Sequence, residues 1–141
     1  MIKVIGAFLA IFTFAMLLET PKKYLWCAGC VGAVGWLVYL LGEPLGDTLA
    51  TFLSAATIAL VSHIFARIFK VPVTVFLIAG ILPTVPGAGM YQIVYYIIAG
   101  DTSMASFYLT HTLEIAGAIA MAIFVVDALF RIQWSKKQKS D

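Results

Sequence analysis

Five apolar runs, residues 4–18, 24–41, 48–69, 72–99 and 103–130, take up most of the chain, and short stretches of a different character divide them. Glu19-Thr20-Pro21-Lys22-Lys23 separates the first two, and Gly42-Glu43-Pro44-Leu45-Gly46-Asp47 is a turn rich in helix breakers. Lys70-Val71-Pro72 and Gly100-Asp101-Thr102 close the remaining junctions. A bilayer core about 30 Å thick needs roughly 20 apolar residues per helical crossing. The pattern therefore predicts an all-α integral membrane fold of five transmembrane helices. Residues 1–133 form its single membrane domain, and residues 134–141 form a short basic cytoplasmic tail.

Composition supports lipid as the solvent. Hydrophobic residues make up 62% of the 141 positions and charged residues 11%, and the mean hydropathy is +1.01, outside the range of soluble domains. No stretch has room for a separate extramembrane catalytic domain. The first run lacks a small-x-small cleavage site before Pro21, so it reads as a retained helix rather than a secretory signal. The net charge of +2 sits in short clusters that read as orientation signals, not as a nucleic-acid surface. Five crossings put Lys22, Lys23, Arg67, Lys70, Arg131 and the tail lysines 136, 137 and 139 on one side, with Glu43, Asp47 and Asp101 on the other. Only Lys3 dissents. Cytoplasmic loops hold the excess of Lys and Arg, so the N-terminus is expected outside and the C-terminus in the cytoplasm.

The fourth run is too long for one regular span and is interrupted by Pro83-Thr84-Val85-Pro86-Gly87-Ala88-Gly89. A re-entrant hairpin would put the basic C-terminus on the wrong side, so a spanning helix broken at the midplane is expected. Its halves, 72–82 and 88–98, would each rise about 16 Å. Prolines remove backbone donors and glycines allow unusual dihedrals. The break should thus expose the N–H end of one half-helix, suited to carboxylates, and the carbonyl end of the other, suited to cations. Irregular backbone at this depth persists where it is buried in protein or lines a wet cavity, and transporters use it for substrate sites. The plainer alternative is a proline kink satisfied by neighbouring helices.

Intramembrane ionisable residues supply further candidates, because a charge in the bilayer is costly. His111 and Glu114, three positions apart, share a helix face with Thr110 and are suited to pairing, proton relay or ammonium binding, or simply to a helix–helix hydrogen bond. Tyr91 and Gln92, just after the break, offer a hydroxyl and an amide. His63 and Arg67 read as interfacial, and Asp127 can pair with Arg131 one turn on. Thr48, Thr51, Ser54 and Ser62 form a polar stripe that either lines a pathway or joins helices. Ala28, Gly32 and Gly35 suggest a close helix contact, and Cys27-Ala28-Gly29-Cys30 reads as packing rather than redox chemistry. No metal-ligand spacing, no cofactor motif and no nucleophile–base pair of an intramembrane enzyme is evident.

The segment Phe76-Leu77-Ile78-Ala79-Gly80-Ile81-Leu82-Pro83-Thr84-Val85-Pro86-Gly87, followed by Tyr91 and Gly100-Asp101, resembles the threonine/serine exporter family. The likeness is to its C-terminal membrane unit, or the small subunit of its split two-protein form, and Thr84 stands where the family more often has a larger aliphatic residue. The resemblance implies a multi-pass subunit of a secondary exporter in the bacterial inner membrane, moving threonine, serine or dicarboxylates such as succinate. It also implies a larger membrane subunit as partner, since alternating access needs two bundles; a second copy of the chain could fill that place. On this reading Pro83, Pro86, Gly87, Gly89, Tyr91 and Gln92 bind the carboxylate-bearing solute, while His111 and Glu114 couple protonation to occupancy. The competing expectation is a non-transporting subunit that assembles a larger complex.

Overall fold

The structure, a computed structural model, describes the backbone of residues 2–138 and the side chains of residues 2–132. Side chains of the expected basic tail, including Lys136, Lys137 and Lys139, lie outside the described residues. The described chain is helical, with no strand: α1 (Ile2–Leu17), α2 (Leu25–Gly42), α3 (Asp47–Phe69), α4 (Thr74–Ile81), α5 (Gly87–Ile98) and α6 (Thr102–Gln138).

The helix ends follow the separators. Glu19 and Lys70 take left-handed conformations, with φ of 56° and 54°. The next N–H then reaches back across the last turn, Thr20 to the Ala15 carbonyl and Val71 to the Ala66 carbonyl, each at 3.0 Å, which satisfies carbonyls the helix end leaves open. Pro21 and Pro72 follow and cannot continue a helix. Gly100, at φ 78°, ends α5 in the same way, a conformation glycine adopts without steric cost. Asp101 then caps α6 by accepting the Met104 N–H at 3.0 Å.

Three helical segments, Lys22–Leu45, Asp47–Phe69 and Thr102–Ile132, are long and apolar enough to cross a membrane. A fourth is the pair Thr74–Thr84 and Gly87–Ile98, bent by 49° at the break, if it acts as one span. α1 is apolar but has 16 residues, about 24 Å of rise.

Contacts fix the directions of the helices. Gly32 and Gly35 of α2 sit where a Cβ would strike Ile11 of α1 and Ile58 of α3, and the Ser54 hydroxyl donates to the Gly35 carbonyl at 2.7 Å. Small residues let these backbones approach, as the sequence suggested. The fully buried Phe76 of α4 packs edge-on to Tyr24, just before α2 (5.8 Å between ring centroids), and Phe65 of α3 (5.7 Å). α3 and α6 run parallel: Asp47 meets His111, His63 meets Asp127, and the Arg67 guanidinium donates to the Phe130 carbonyl at 3.4 Å. The chain between Phe69 and Thr102 therefore returns along the length of α3. A hairpin would have made α3 and α6 antiparallel.

The two halves of the break, Thr74–Thr84 and Gly87–Ile98, are of nearly equal length, and residues 70–73 are spent turning out of α3. The break faces Thr51 in the second turn of α3 and Ile115 within the apolar stretch Thr102–Ile132 of α6. α5 packs antiparallel to the early part of α6, where Tyr96 stacks on Tyr108 at 5.5 Å.

Candidate functional site

The two ends of the bundle are built differently. Around Phe76, the rings of Tyr24, Phe65 and Phe69 fill the space between α2, α3 and α4. At the other end a cavity of about 370 Å³ opens between the break and the α2–α3 and α6 walls. Trp36 and Tyr39 come from the last turns of α2, and Asp47 and Thr51 from the first turns of α3. Pro83, Thr84 and Pro86 come from the break, Gly89 and Gln92 from α5, and Tyr108, His111 and Thr112 from α6.

Local chemistry makes the break one-sided. The Thr84 hydroxyl donates to the Ile81 carbonyl at 2.6 Å, and the Val85 N–H to the Leu82 carbonyl at 3.3 Å. Two carbonyls at the end expected as a cation pole, Ile81 and Leu82, thus accept from their own chain. Pro86, at φ −79° and ψ 57°, forms a tight inverse turn in which the Gly87 N–H donates to the Val85 carbonyl at 2.8 Å. The next donors, Ala88 and Gly89, belong to the first turn of α5, where N–H groups have no intrahelical acceptor. No side chain caps that turn, and both residues line the cavity. The positive end of the helix dipole therefore faces it.

Two more donors are unused beside this turn. Thr112 is 6% exposed, and its Oγ1 has no hydrogen-bond partner. It lies where a Cβ on Gly89 would collide with it. The buried Trp36 Nε1 is likewise unpartnered, its ring stacked on Tyr39 at 5.2 Å. Orphaned buried polar groups are uncommon and point to a missing partner; here both line one cavity.

The opposite wall carries charge. The Tyr39 hydroxyl donates to Asp47 Oδ1 at 2.5 Å, and His111 Nε2 lies 3.1 Å from Asp47 Oδ2. These contacts join α2, α3 and α6 at the mouth of the α2–α3 turn. A second His–Asp contact ties α3 to α6 at the far end: His63 Nε2 is 3.5 Å from Asp127 Oδ1, and Asp127 Oδ2 accepts from Arg131 at 3.0 Å. The expected Asp127–Arg131 pair is present there. His63 stacks on Phe130 at 4.5 Å, and the Arg67 guanidinium lies over the same ring at 4.5 Å.

Of the residues singled out in the sequence, the cavity gathers Pro83, Pro86, Gly89, Gln92 and His111. Tyr91 is 67% exposed and stacks on Tyr95; at 100° per residue it points off the face shared by Gly89 and Gln92. Gly87 is exposed with open space around its Cα, and neither Gly87 nor Gly89 uses a positive φ. Gly89 is there for close approach to Thr112. Glu114 is exposed and outside the lining, and of the alternatives for His111 and Glu114, direct pairing is not the contact formed: His111 meets Asp47. The polar stripe of α3 is divided, with Thr51 lining the cavity and Ser54 bonding helices together.

Asp47, Tyr39, Trp36 and Thr112 were not singled out. Asp47 read as a loop charge because its turn is full of breakers. A signal for it was present: Asp47 and His63 on α3 repeat the spacing of His111 and Asp127 on α6 with the residue types exchanged.

Comparison with known proteins bears on the whole chain. No curated protein and no solved structure matches it. A family model, described as threonine/serine exporter, ThrE, matches residues 3–129. With nearly its full length covered, the chain belongs to the threonine/serine exporter (ThrE) family.

Proposed function

We propose that the chain is the small, solute-binding membrane subunit of a two-protein exporter in the bacterial inner membrane, and that the cavity at the proline–glycine break holds the carboxylate of a small hydrophilic metabolite. The observation that carries this reading is the convergence of unused donors. The uncapped first turn of α5 lines one cavity together with Thr112 and Trp36, whose buried Oγ1 and Nε1 have no partner, and N–H groups at a helix start with a favourable dipole form an anion site. Gln92 adds an adjustable amide.

Five crossings fit the helix directions. With α3 and α6 parallel, α4 and α5 together make one broken crossing between them, and α1 makes a short first crossing. On this layout Lys22, Lys23, Arg67 and Lys70 are cytoplasmic, beside the aromatic cluster of Phe76. The cavity then lies in the outer part of the bilayer, closed below by those rings. Alternating access would require the cluster to part.

A larger membrane subunit is supported by what this chain leaves uncovered. α5 has no buried residue, and Glu114 is exposed about 18 Å along α6 from its start. A lipid-facing carboxylate at that depth is costly, and a partner helix offering a polar group would cover it.

Proteoliposomes containing the chain and its larger partner should release preloaded L-threonine, L-serine or succinate faster than liposomes with the partner alone. Release of all three no faster than from liposomes with the partner alone would leave the non-transporting role instead. For the orientation, cysteines placed at Asp101 and Lys70 in cells should react with an impermeant reagent from outside and only after permeabilisation, respectively.

A further inference from the structure

Donors for a carboxylate account for one wall of the cavity and leave the other unexplained. Asp47 is the one carboxylate among the described lining residues, and no Lys or Arg pairs with it among the described contacts. Its partners are Tyr39 at 2.5 Å and His111 at 3.1 Å. The side chains of His111 and Asp47 are 38% and 41% exposed, open toward the cavity rather than locked in the core. Asp127, by contrast, sits in the same kind of His–Asp contact but also holds Arg131, and it does not line this cavity. At the carbonyl end of the break, the Ile81 and Leu82 carbonyls already accept from Thr84 and Val85.

A carboxylate near the membrane needs a compensating cation. Resting on the reading of the cavity as a solute site, we propose that Asp47 is its cation seat, occupied by the imidazolium of His111 when the cavity is empty and by the ammonium group of the solute when it is full. Solute entry then displaces the proton from His111 Nε2 to water, and the ammonium replaces it beside Asp47 Oδ2. Asp47 keeps one cation beside it in both states, and the negative charge that the solute's carboxylate adds faces the first turn of α5. Tyr39 holds the other carboxylate oxygen and so fixes the direction in which Oδ2 points.

Selectivity follows from this geometry. A solute with one carboxylate and one ammonium group can satisfy the α5 turn and Asp47 together. A dicarboxylate would set its second carboxylate against Asp47, a like-charge contact. Other titratable groups nearby are few: Glu43 in the turn before α3, Tyr108 on α6, and Lys3 of α1, which lines a neighbouring groove with Trp36 and Pro83. The lining residues of the break and of α5 contribute none.

The test is exchange of radiolabelled L-threonine in proteoliposomes of the chain with its larger partner, in competition with unlabelled L-threonine or succinate. Wild type should favour threonine. Asp47→Asn should weaken threonine competition by about tenfold or more, the loss of a charge-assisted contact, while succinate competition stays equal or improves. Asp127→Asn, with the same chemistry away from the cavity, should keep the wild-type ratio. Should Asp47→Asn fold poorly, His111→Gln decides: threonine preference persists, but the dependence of exchange on pH across the imidazole range is flattened. An unchanged threonine-to-succinate ratio in Asp47→Asn, or an unchanged pH profile in His111→Gln, would overturn the proposal. Wild-type liposomes that exchange neither solute would instead defeat the solute-site reading itself.

Discussion

His63 on α3 and Asp127 on α6 lie 3.5 Å apart, each sixteen residues beyond the Asp47–His111 contact on its own helix and with the residue types exchanged. Two cross-links of equal offset define both the direction and the register of a helix pair. At 1.5 Å per residue they stand about 24 Å apart along the bundle. One lines the cavity, and the other ties α3 to α6 toward the opposite end of the bundle.

Parallel register is directly testable. In a background with Cys27→Ala and Cys30→Ala, cysteines at 47 and 111 should cross-link through a short bifunctional reagent, as should cysteines at 63 and 127. Cysteines at 47 and 127 should not. A re-entrant path for α4 and α5 reverses α6 and predicts the opposite set, which electrophoresis after protease cleavage between the helices would reveal.

The far contact should be modest in strength and tolerant of inversion. Asp127 is 40% exposed, and exposed ion pairs contribute about 0–1 kcal/mol. Asp127→Asn is expected to lower unfolding stability in detergent by about 0.5 kcal/mol. The exchange His63→Asp with Asp127→His reproduces the order found at the cavity end and should recover most of that loss. A double variant no better than the sum of its single changes would show that His63 and Asp127 do not interact.

At the closed end the cost is much larger. Phe76 is fully buried among Tyr24, Phe65 and Phe69, and removal of a core phenylalanine side chain typically costs about 3–5 kcal/mol. Phe76→Ala should lower stability by that order in a denaturing-detergent titration. Phe76→Leu, which keeps most of the volume, should lose much less.

Much of this arrangement was legible in the sequence. The breakers at Pro21, Pro44, Pro72 and Gly100 mark helix junctions because proline and positive φ act locally, and the stripe of Gly32 and Gly35 announced close packing through what it lacks. The break at residues 83–89 was visible for the same local reason. Its position beside Thr51 was not, since that depends on how many residues the turn after Phe69 consumes. Nor was the choice of partner for His111: Glu114 is three residues away in sequence, while Asp47 reaches it only because α3 and α6 run parallel. Tertiary register, signalled only by the matched spacing of Asp47 and His63 with His111 and Asp127, decided which side chains share the cavity.

Gly89 and Thr112 give the sharpest test of the carboxylate end. A Cβ at Gly89 would meet Thr112 Oγ1 too closely for either to stay in place, so Gly89→Ala forces α5 away from α6 or turns the hydroxyl out of the cavity. Overpacking of this kind costs about 1–3 kcal/mol, and the displaced donors would no longer converge. Gly89→Ala should therefore reduce both stability and threonine exchange. Thr112→Ala alone should reduce exchange with little loss of stability, because its hydroxyl has no partner to lose. In the double variant the clash is relieved: stability should return while exchange stays low. That separation arises only if Thr112 serves the solute rather than the fold. Recovery of exchange together with stability would make Thr112 a packing residue and move the carboxylate site elsewhere.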